Sequence, residues 1–321
     1  MSPRNLVVYI PSWRNFNGAV SQVMRVREQS ERLIARGTLG RCQIVVSENG
    51  TEYLAHELVK AGATRVLQRP CDLGADTNIA LGFLEGTSRD LLWILSDNDP
   101  CSSTALATIL EGFTTHPKAD ILIGTRDQAP MRATLLSAPP DSAGESWAAG
   151  LISGVVYNFD TIAPSVRYAL EFAWTGWSQL ALQRSAFRDG LLREAVLVPL
   201  DDLVDHTAGD RSRESVAVAR AKYRHSFFGG VLLDYGMAGP EARTRRCEAS
   251  RWWRRYWYLA SAYRSPRQRY AFMDSAVDFR EGLASSLVRT GSPIDRGLWL
   301  LSLLPYWRAA LLYRRLRGNS K

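Results

Sequence analysis

The sequence predicts an α/β protein: a mostly parallel sheet flanked by helices, followed by a basic, aromatic-rich helical C-terminal extension. Two observations lead there. Short apolar runs alternate with stretches of helical periodicity through the front of the chain, as strands alternating with crossover helices do. One of those runs, Leu91-Leu-Trp-Ile-Leu95, ends in Ser-Asp97-Asn-Asp99, two carboxylates one residue apart. A buried strand that opens onto a polar edge reads this way. The bulk numbers agree. The chain has 321 residues and 46% hydrophobic content, enough for a real core. No apolar stretch reaches the ~18–20 uninterrupted residues of a spanning helix.

In chain order, the apolar run 6–10 is the first strand. It follows the N-terminus too closely for a secretory signal to precede it. Residues 18–36 have helical spacing, with Val20, Val23, Met24, Leu33 and Ile34 as inward positions. Strands follow at 43–46 and 64–67, separated by a helix at 52–61. A short helix at 78–84 precedes the strand 91–95. A helix at 103–113 is capped by Ser102 or Ser103, whose hydroxyls suit the first free amides. Residues 121–124 form a further strand. Residues 126–150, rich in Ala, Pro, Ser and Asp, read as a long loop over the site. Beyond it lie a strand at 151–157, a helix at 168–187 carrying Trp174 and Trp177, and a strand at 195–200 that leads into Asp201-Asp202.

Cys42, Cys71, Cys101 and Cys247 form no CxxC pair and no zinc-ligand spacing with histidine, so they read as free thiols of a reducing cytoplasm. The formal net charge of +8 is uneven. Residues 241–321 hold about 17 basic and about 6 acidic side chains, leaving roughly −3 for the rest. A slightly acidic front half argues against nucleic acid as a partner.

Alternate residues of an extended chain point the same way, so Asp97 and Asp99 can face one ligand. Two hard anionic groups at a strand's carboxyl end suit a divalent cation carrying a diphosphate. The competing reading is an acidic turn leading to a helix cap.

Four segments, in order and with matching spacing over about the first hundred residues, resemble family 2 glycosyltransferases. They are Tyr9-Ile-Pro-Ser-Trp-Arg-Asn15, Ile44-Val-Val-Ser-Glu-Asn-Gly-Thr51, Gly74-Ala-Asp-Thr-Asn78 and Leu92-Trp-Ile-Leu-Ser-Asp-Asn-Asp99. Ile152-Ser-Gly-Val-Val156 and His206 extend the match more loosely, and the bacterial surface-polysaccharide, abequosyltransferase-like group is the nearest in flavour. The resemblance implies a GT-A, Rossmann-like domain over residues 1–235. It implies inverting transfer from a nucleotide-diphosphate sugar to a glycan or lipid-linked acceptor, with Mn²⁺ or Mg²⁺.

It also implies roles. Pro11 and Ser12 lie against the nucleotide base, and Glu48 takes the place of a usual Asp near base or ribose. Gly74 permits a close backbone approach, while Asn78 caps a helix or touches nucleotide. Asp72 stands where Asn is common. Asp97 binds ribose or metal through water, Asp99 binds metal directly, and His206 is a third ligand. Arg211 or Arg213 reaches the diphosphate. The catalytic base is expected in the second half, where the family's acidic pair is missing. Glu171 is the nearest carboxylate, with Asp201 and Asp202 as rivals.

Residues 236–321 mix cations with Trp and Tyr, as in Arg251-Trp-Trp-Arg-Arg-Tyr-Trp-Tyr258. Two readings stand: an interfacial surface on the anionic cytoplasmic leaflet, or a helical subdomain packed on the front half. The alternative to an enzyme is a non-catalytic, membrane-associated binding subunit that keeps the fold.

Overall fold

The computed structural model describes residues 3–205, save 50–54, 70, 72, 144–145 and 174–176. Eight strands form one sheet: β1 (Arg4–Ser12), β2 (Leu39–Asn49), β3 (Arg65–Arg69), β4 (Asp90–Ile94), β5 (Ile121–Thr125), β6 (Arg132–Leu135), β7 (Val155–Asn158) and β8 (Glu194–Pro199). Their order is β3-β2-β1-β4-β7-β5-β8-β6. The pairs β1–β2, β1–β4, β2–β3 and β5–β8 are parallel; β7 is antiparallel to both β4 and β5, and β6 to β8. This is the expected class, a mostly parallel sheet flanked by helices.

The first half contributes α1 (Phe16–Ala35), α2 (Ala55–Ala61), α3 (Ala75–Gly82) and α4 (Ala105–Thr115). The second contributes α5 (Pro140–Ala143), α6 (Phe159–Ile162), α7 (Val166–Glu171) and α8 (Ser178–Arg188). Residues of α1, α2 and α4 share a core cluster with Leu6, Val8 and Ile10 of β1, whereas α6, α7 and α8 pack with Val7 and Tyr9. Both faces of β1 are therefore covered, and that is why its sequence is a continuous apolar run rather than an alternating one. Among the described residues, no helix is long and apolar enough to cross a membrane.

Helix α1 corrects one expectation in an informative way. Val23 and Leu33 are buried as expected and Val20 half-buried, but Met24 is 56% and Ile34 42% exposed. Gln22 and Gln29 are buried instead. They answer the backbone that follows β4, which has left the sheet and, among the described residues, is paired only at a single antiparallel bridge, Cys101 to Val204. Gln22 donates from Nε2 to the carbonyls of Ser96 (2.7 Å) and Asp99, and its Oε1 accepts from the amide of Cys101 (2.9 Å). Gln29 donates to the carbonyl of Ser102 (2.9 Å) and accepts from the amide of Leu106 (3.1 Å).

Three further expectations differ. The segment 126–150 is not a plain loop: it holds β6 and α5. β6 is a four-residue outer strand with Leu135 79% exposed, so it carries no burial alternation to read. Helix 168–187 is two helices, α7 and α8, with Gly176 in the intervening sequence as a helix-weakening residue. α4 begins at Ala105 with Thr104 at its cap position, and no side-chain cap bond is present there. The expected boundary at residues 235/236 and the whole C-terminal region lie outside the described residues.

Replacing Gln29 by Leu strands the Leu106 amide in the core and removes one donor from the Ser102 carbonyl, which the Ala105 amide still reaches at 3.2 Å. We expect a loss of about 1–3 kcal/mol in unfolding free energy, measured by denaturant titration. A variant as stable as the wild type would contradict the role given to Gln29.

Candidate functional site

The parallel strands β1, β2 and β4 end together, and their carboxyl ends carry the polar residues. Ser12 and Glu48 are paired in register as the chain leaves β1 and nears the end of β2. Both are buried, at 1% and 0% exposure. Glu48 is thus a strand residue and not an exposed turn acid; β2 runs on through Asn49. Pro11, half-buried, pairs with Ser47.

Asp97 lies just past β4 and is 8% exposed. Its Oδ2 accepts from the Ser12 hydroxyl at 2.9 Å, and its Oδ1 accepts from Asn98 Nδ2 at 2.9 Å. Burial pushes its pKa from 3.8 up to about 6; donors at Ser12, the Trp13 backbone and Asn15 offset that only in part. Among the described residues no cation forms an ion pair with it. Asp99, two residues on, is half-buried, and its Oδ2 accepts from the Ser153 hydroxyl at 2.9 Å.

The start of α1 holds this loop. Asn15 is its N-cap: Oδ1 accepts from the amide of Gly18, while Nδ2 donates to the carbonyl of Asp97 (3.0 Å) and to Asn98 Oδ1 (3.1 Å). A Cβ on Gly18 would lie 2.4 Å from the Asp97 carbonyl oxygen, so the approach is open to glycine alone. Arg14 sits between these residues in the left-handed region (φ 53°), its guanidinium 4.6 Å above the Trp13 ring.

A third segment arrives after β8. Residues 200–202 form a short 3-10 turn; then Ser102 donates its amide to the Leu203 carbonyl (3.0 Å) and Asp205 donates its amide to the Pro100 carbonyl (2.7 Å). Asp201 is exposed and accepts from Gln128 Nε2 at 3.0 Å, and Asp202 is half-buried.

The remaining expected residues fall as follows. Gly74 is the cap residue of α3 at φ 77°, where a side chain would be strained. Asn78 is not a helix cap: it lies inside α3, fully buried, and its side chain is spent on the sheet. Its Oδ1 accepts from Ser47 Oγ (2.6 Å) and Tyr9 OH (2.9 Å), and its Nδ2 donates to the Ser47 carbonyl (3.1 Å). Glu171 closes α7, exposed, among the helices on the opposite face from α1. Asp72, Trp174, His206, Arg211 and Arg213 lie outside the described residues.

The donor set fits a hard divalent cation in part. Two carboxylates on one loop, one of them buried with hydrogen bonds but no positive partner among the described residues, offer oxygen ligands. Among the described residues no three of His, Cys, Asp and Glu gather as a complete cage. A Mg²⁺-like ion held by one or two carboxylates and completed by phosphate oxygens matches that count.

Asn15, Gln22 and Ser153 were not singled out from sequence. Asn15 had a legible signal, an Asn directly before helical periodicity. Ser153 lies in the segment 152–156 that loosely extends the match, but nothing local assigns it a role, because its partners are Ser96 and Asp99.

No protein-family model and no curated protein matches the chain. Solved structures resemble it at low identity. Glucosyl-3-phosphoglycerate synthase from Mycobacterium tuberculosis, in complex with Mn²⁺, UDP-glucose and phosphoglyceric acid, is 12% identical with a TM-score of 0.44, covering 72% of this chain and 79% of that one. S. aureus TarS is 8% identical with a TM-score of 0.43, covering 92% of this chain and 50% of its own. A 4-diphosphocytidyl-2C-methyl-D-erythritol synthase is 16% identical with a TM-score of 0.39, covering 70% and 97%. Likeness at this level is too slight to transfer a function.

Because folded Asp97 holds its proton more tightly than the unfolded chain does, its ionisation destabilises the fold. That penalty is absent below about pH 4, grows through about 6 and is then constant. In chelating buffer, Asp97→Asn should therefore gain on the wild type by roughly 2–3 kcal/mol between pH 4 and pH 7, read as the difference in unfolding free energy. A pH-independent difference would show that the carboxylate is not desolvated.

Proposed function

We propose that the chain is an inverting, metal-dependent glycosyltransferase of GT-A type, moving a sugar from a nucleotide-diphosphate sugar to a glycan or lipid-linked acceptor. The observation that supports it most is the pair Asp97 and Asp99, held by Ser12 and Ser153 where the parallel strands end. Ligands of such sheets bind beyond the strands' carboxyl ends.

In this reading Pro11, Ser12 and Glu48 form the floor for base and ribose. The buried Glu48 carboxylate would accept hydrogen bonds from base or sugar groups. Gly74 lets the backbone approach the nucleotide, and Asn78 acts behind it by fixing α3 to Ser47 and Tyr9. Asp99, with Asp97 beside it, would hold Mn²⁺ or Mg²⁺. When bound, the ion stabilises negative charge on the leaving diphosphate as a Lewis acid. His206 is the proposed third ligand; its neighbour Asp205 is tied to Pro100, next to Asp99. Glu171 is the proposed base that takes the proton from the acceptor hydroxyl oxygen, with Asp201 and Asp202 as rivals.

We place the reaction on the cytoplasmic face of the inner membrane, in bacterial surface-polysaccharide synthesis, with residues 236–321 as a peripheral anchor. A non-catalytic binding subunit is the alternative, and detectable sugar transfer by the purified protein rules it out.

Calorimetric binding of UDP, GDP, dTDP and CDP, with and without Mn²⁺, should show metal-dependent binding of one of them. Asp99→Ala should weaken it at least about 10-fold while leaving thermal unfolding near that of the wild type. Undiminished binding by that variant contradicts the site. For the anchor, full-length protein should sediment with anionic liposomes and lose most of that in the charge-reversed variant Arg254→Glu with Arg255→Glu. Equal sedimentation would remove the anchoring role from this segment.

A further inference from the structure

We infer that Ser153 is a positioning residue for Asp99: its hydroxyl fixes which carboxylate oxygen remains for the metal. The inference rests on the reading of Asp97 and Asp99 as the metal and diphosphate site. Ser153 is fully buried, and its Oγ stands 2.9 Å from the amide of Ser96 and 2.9 Å from Asp99 Oδ2. An amide can only donate, so the Ser96 bond occupies a lone pair of the hydroxyl. The single hydroxyl proton then points at Asp99. Oδ2 is thereby engaged, and Oδ1 accepts no hydrogen bond from the described residues.

The hydroxyl is itself held on a rigid part. Its own carbonyl accepts from the Trp93 indole at 3.0 Å, and Trp93 is a buried residue of β4. The next residue, Gly154, is closed in by Ala148 and Leu200, which a Cβ would meet at 3.0–3.2 Å. Topology explains how a residue so distant in sequence reaches Asp99. β7 runs antiparallel to β4, with Trp93 paired to Val156, so the turn entering β7 stands at the carboxyl end of β4. A parallel strand at that place would bring its far end instead.

Groups that orient a metal's ligands typically change its affinity 10–100-fold when removed. Ser153→Ala and Ser153→Cys test this, the second because a thiol fills the same space with a much weaker donor. The probe is Mn²⁺, titrated by electron paramagnetic resonance with whichever of UDP, GDP, dTDP or CDP binds the wild type, at saturation. Thermal unfolding is followed in parallel.

The expected result is an apparent Mn²⁺ dissociation constant raised about 10-fold or more in both variants, with metal-free nucleotide affinity near the wild type's; Ser153→Cys should unfold near the wild type, and Ser153→Ala somewhat lower because the Ser96 amide loses its acceptor. An unchanged Mn²⁺ constant in a folded Ser153→Cys overturns the inference, as does a fall in metal-free nucleotide affinity and stability that matches the fall in Mn²⁺ affinity. If Asp99→Ala loses Mn²⁺ and the Ser153 variants keep it, the site stands and the positioning role fails. If the wild type binds no Mn²⁺ with any of the four nucleotides, both fail.

Discussion

Keeping the Asp97 carboxylate buried at the end of β4, with hydrogen-bond donors around it and no cation among the described residues, is the constraint on which the neighbouring structure depends. Ionising a group in that setting is unfavourable unless fixed dipoles or a counter-ion supply the missing solvation. Here the dipoles come from Ser12, the Trp13 backbone and the cap residue Asn15. Residues Asn15, Gly18, Gln22, Arg25 and Gln29 follow one another at spacings of three and four, a single stripe of one helix. Asn15, Gln22, Arg25 and Gln29 bond to the segment from Ser96 to Leu106, and Gly18 lies against the Asp97 carbonyl. A helix normally puts apolar residues on its buried stripe. α1 gives part of that stripe to polar groups because the loop it covers lies outside the sheet, and most of its backbone groups need side-chain partners.

The same loop is approached from two other sides. The antiparallel β7 brings Ser153 to Asp99, and the chain leaving β8 brings residues 203–205 to Pro100 and Ser102. Three segments far apart in sequence thus fix the acidic loop between β4 and α4. Pre-organisation of this kind matters for a metal and diphosphate site, since ligands already held in place lose little freedom when the ion arrives.

The alternation of buried runs and helical periods revealed the sheet and seven of its strands, because strands covered on both faces must be apolar. The acidic strand end was equally plain, since charge at the end of such a run is rare without a purpose. β6 was not visible: an exposed outer strand needs no apolar pattern. The break between α7 and α8 was missed because apolar spacing continues on both sides of it. Asn78 reads from its residue type as a helix cap or a nucleotide contact, yet its place inside α3 is set by Tyr9 and Ser47, which no local rule connects to it. Positions set by short-range pattern, such as the acidic strand end at Asp97 and the helix start at Gly74, were legible. Those carried by long-range hydrogen bonds, such as Gln22 and Ser153, were not.

The most direct measurement is a crystal structure of the full chain with Mn²⁺ and the nucleoside diphosphate it binds. The ion should lie within ligation distance of Asp99, beside Asp97, with the diphosphate completing its shell and the base against Ser12 and Glu48. A nucleotide bound elsewhere, or a metal bound without either aspartate, would contradict the assignment of the site.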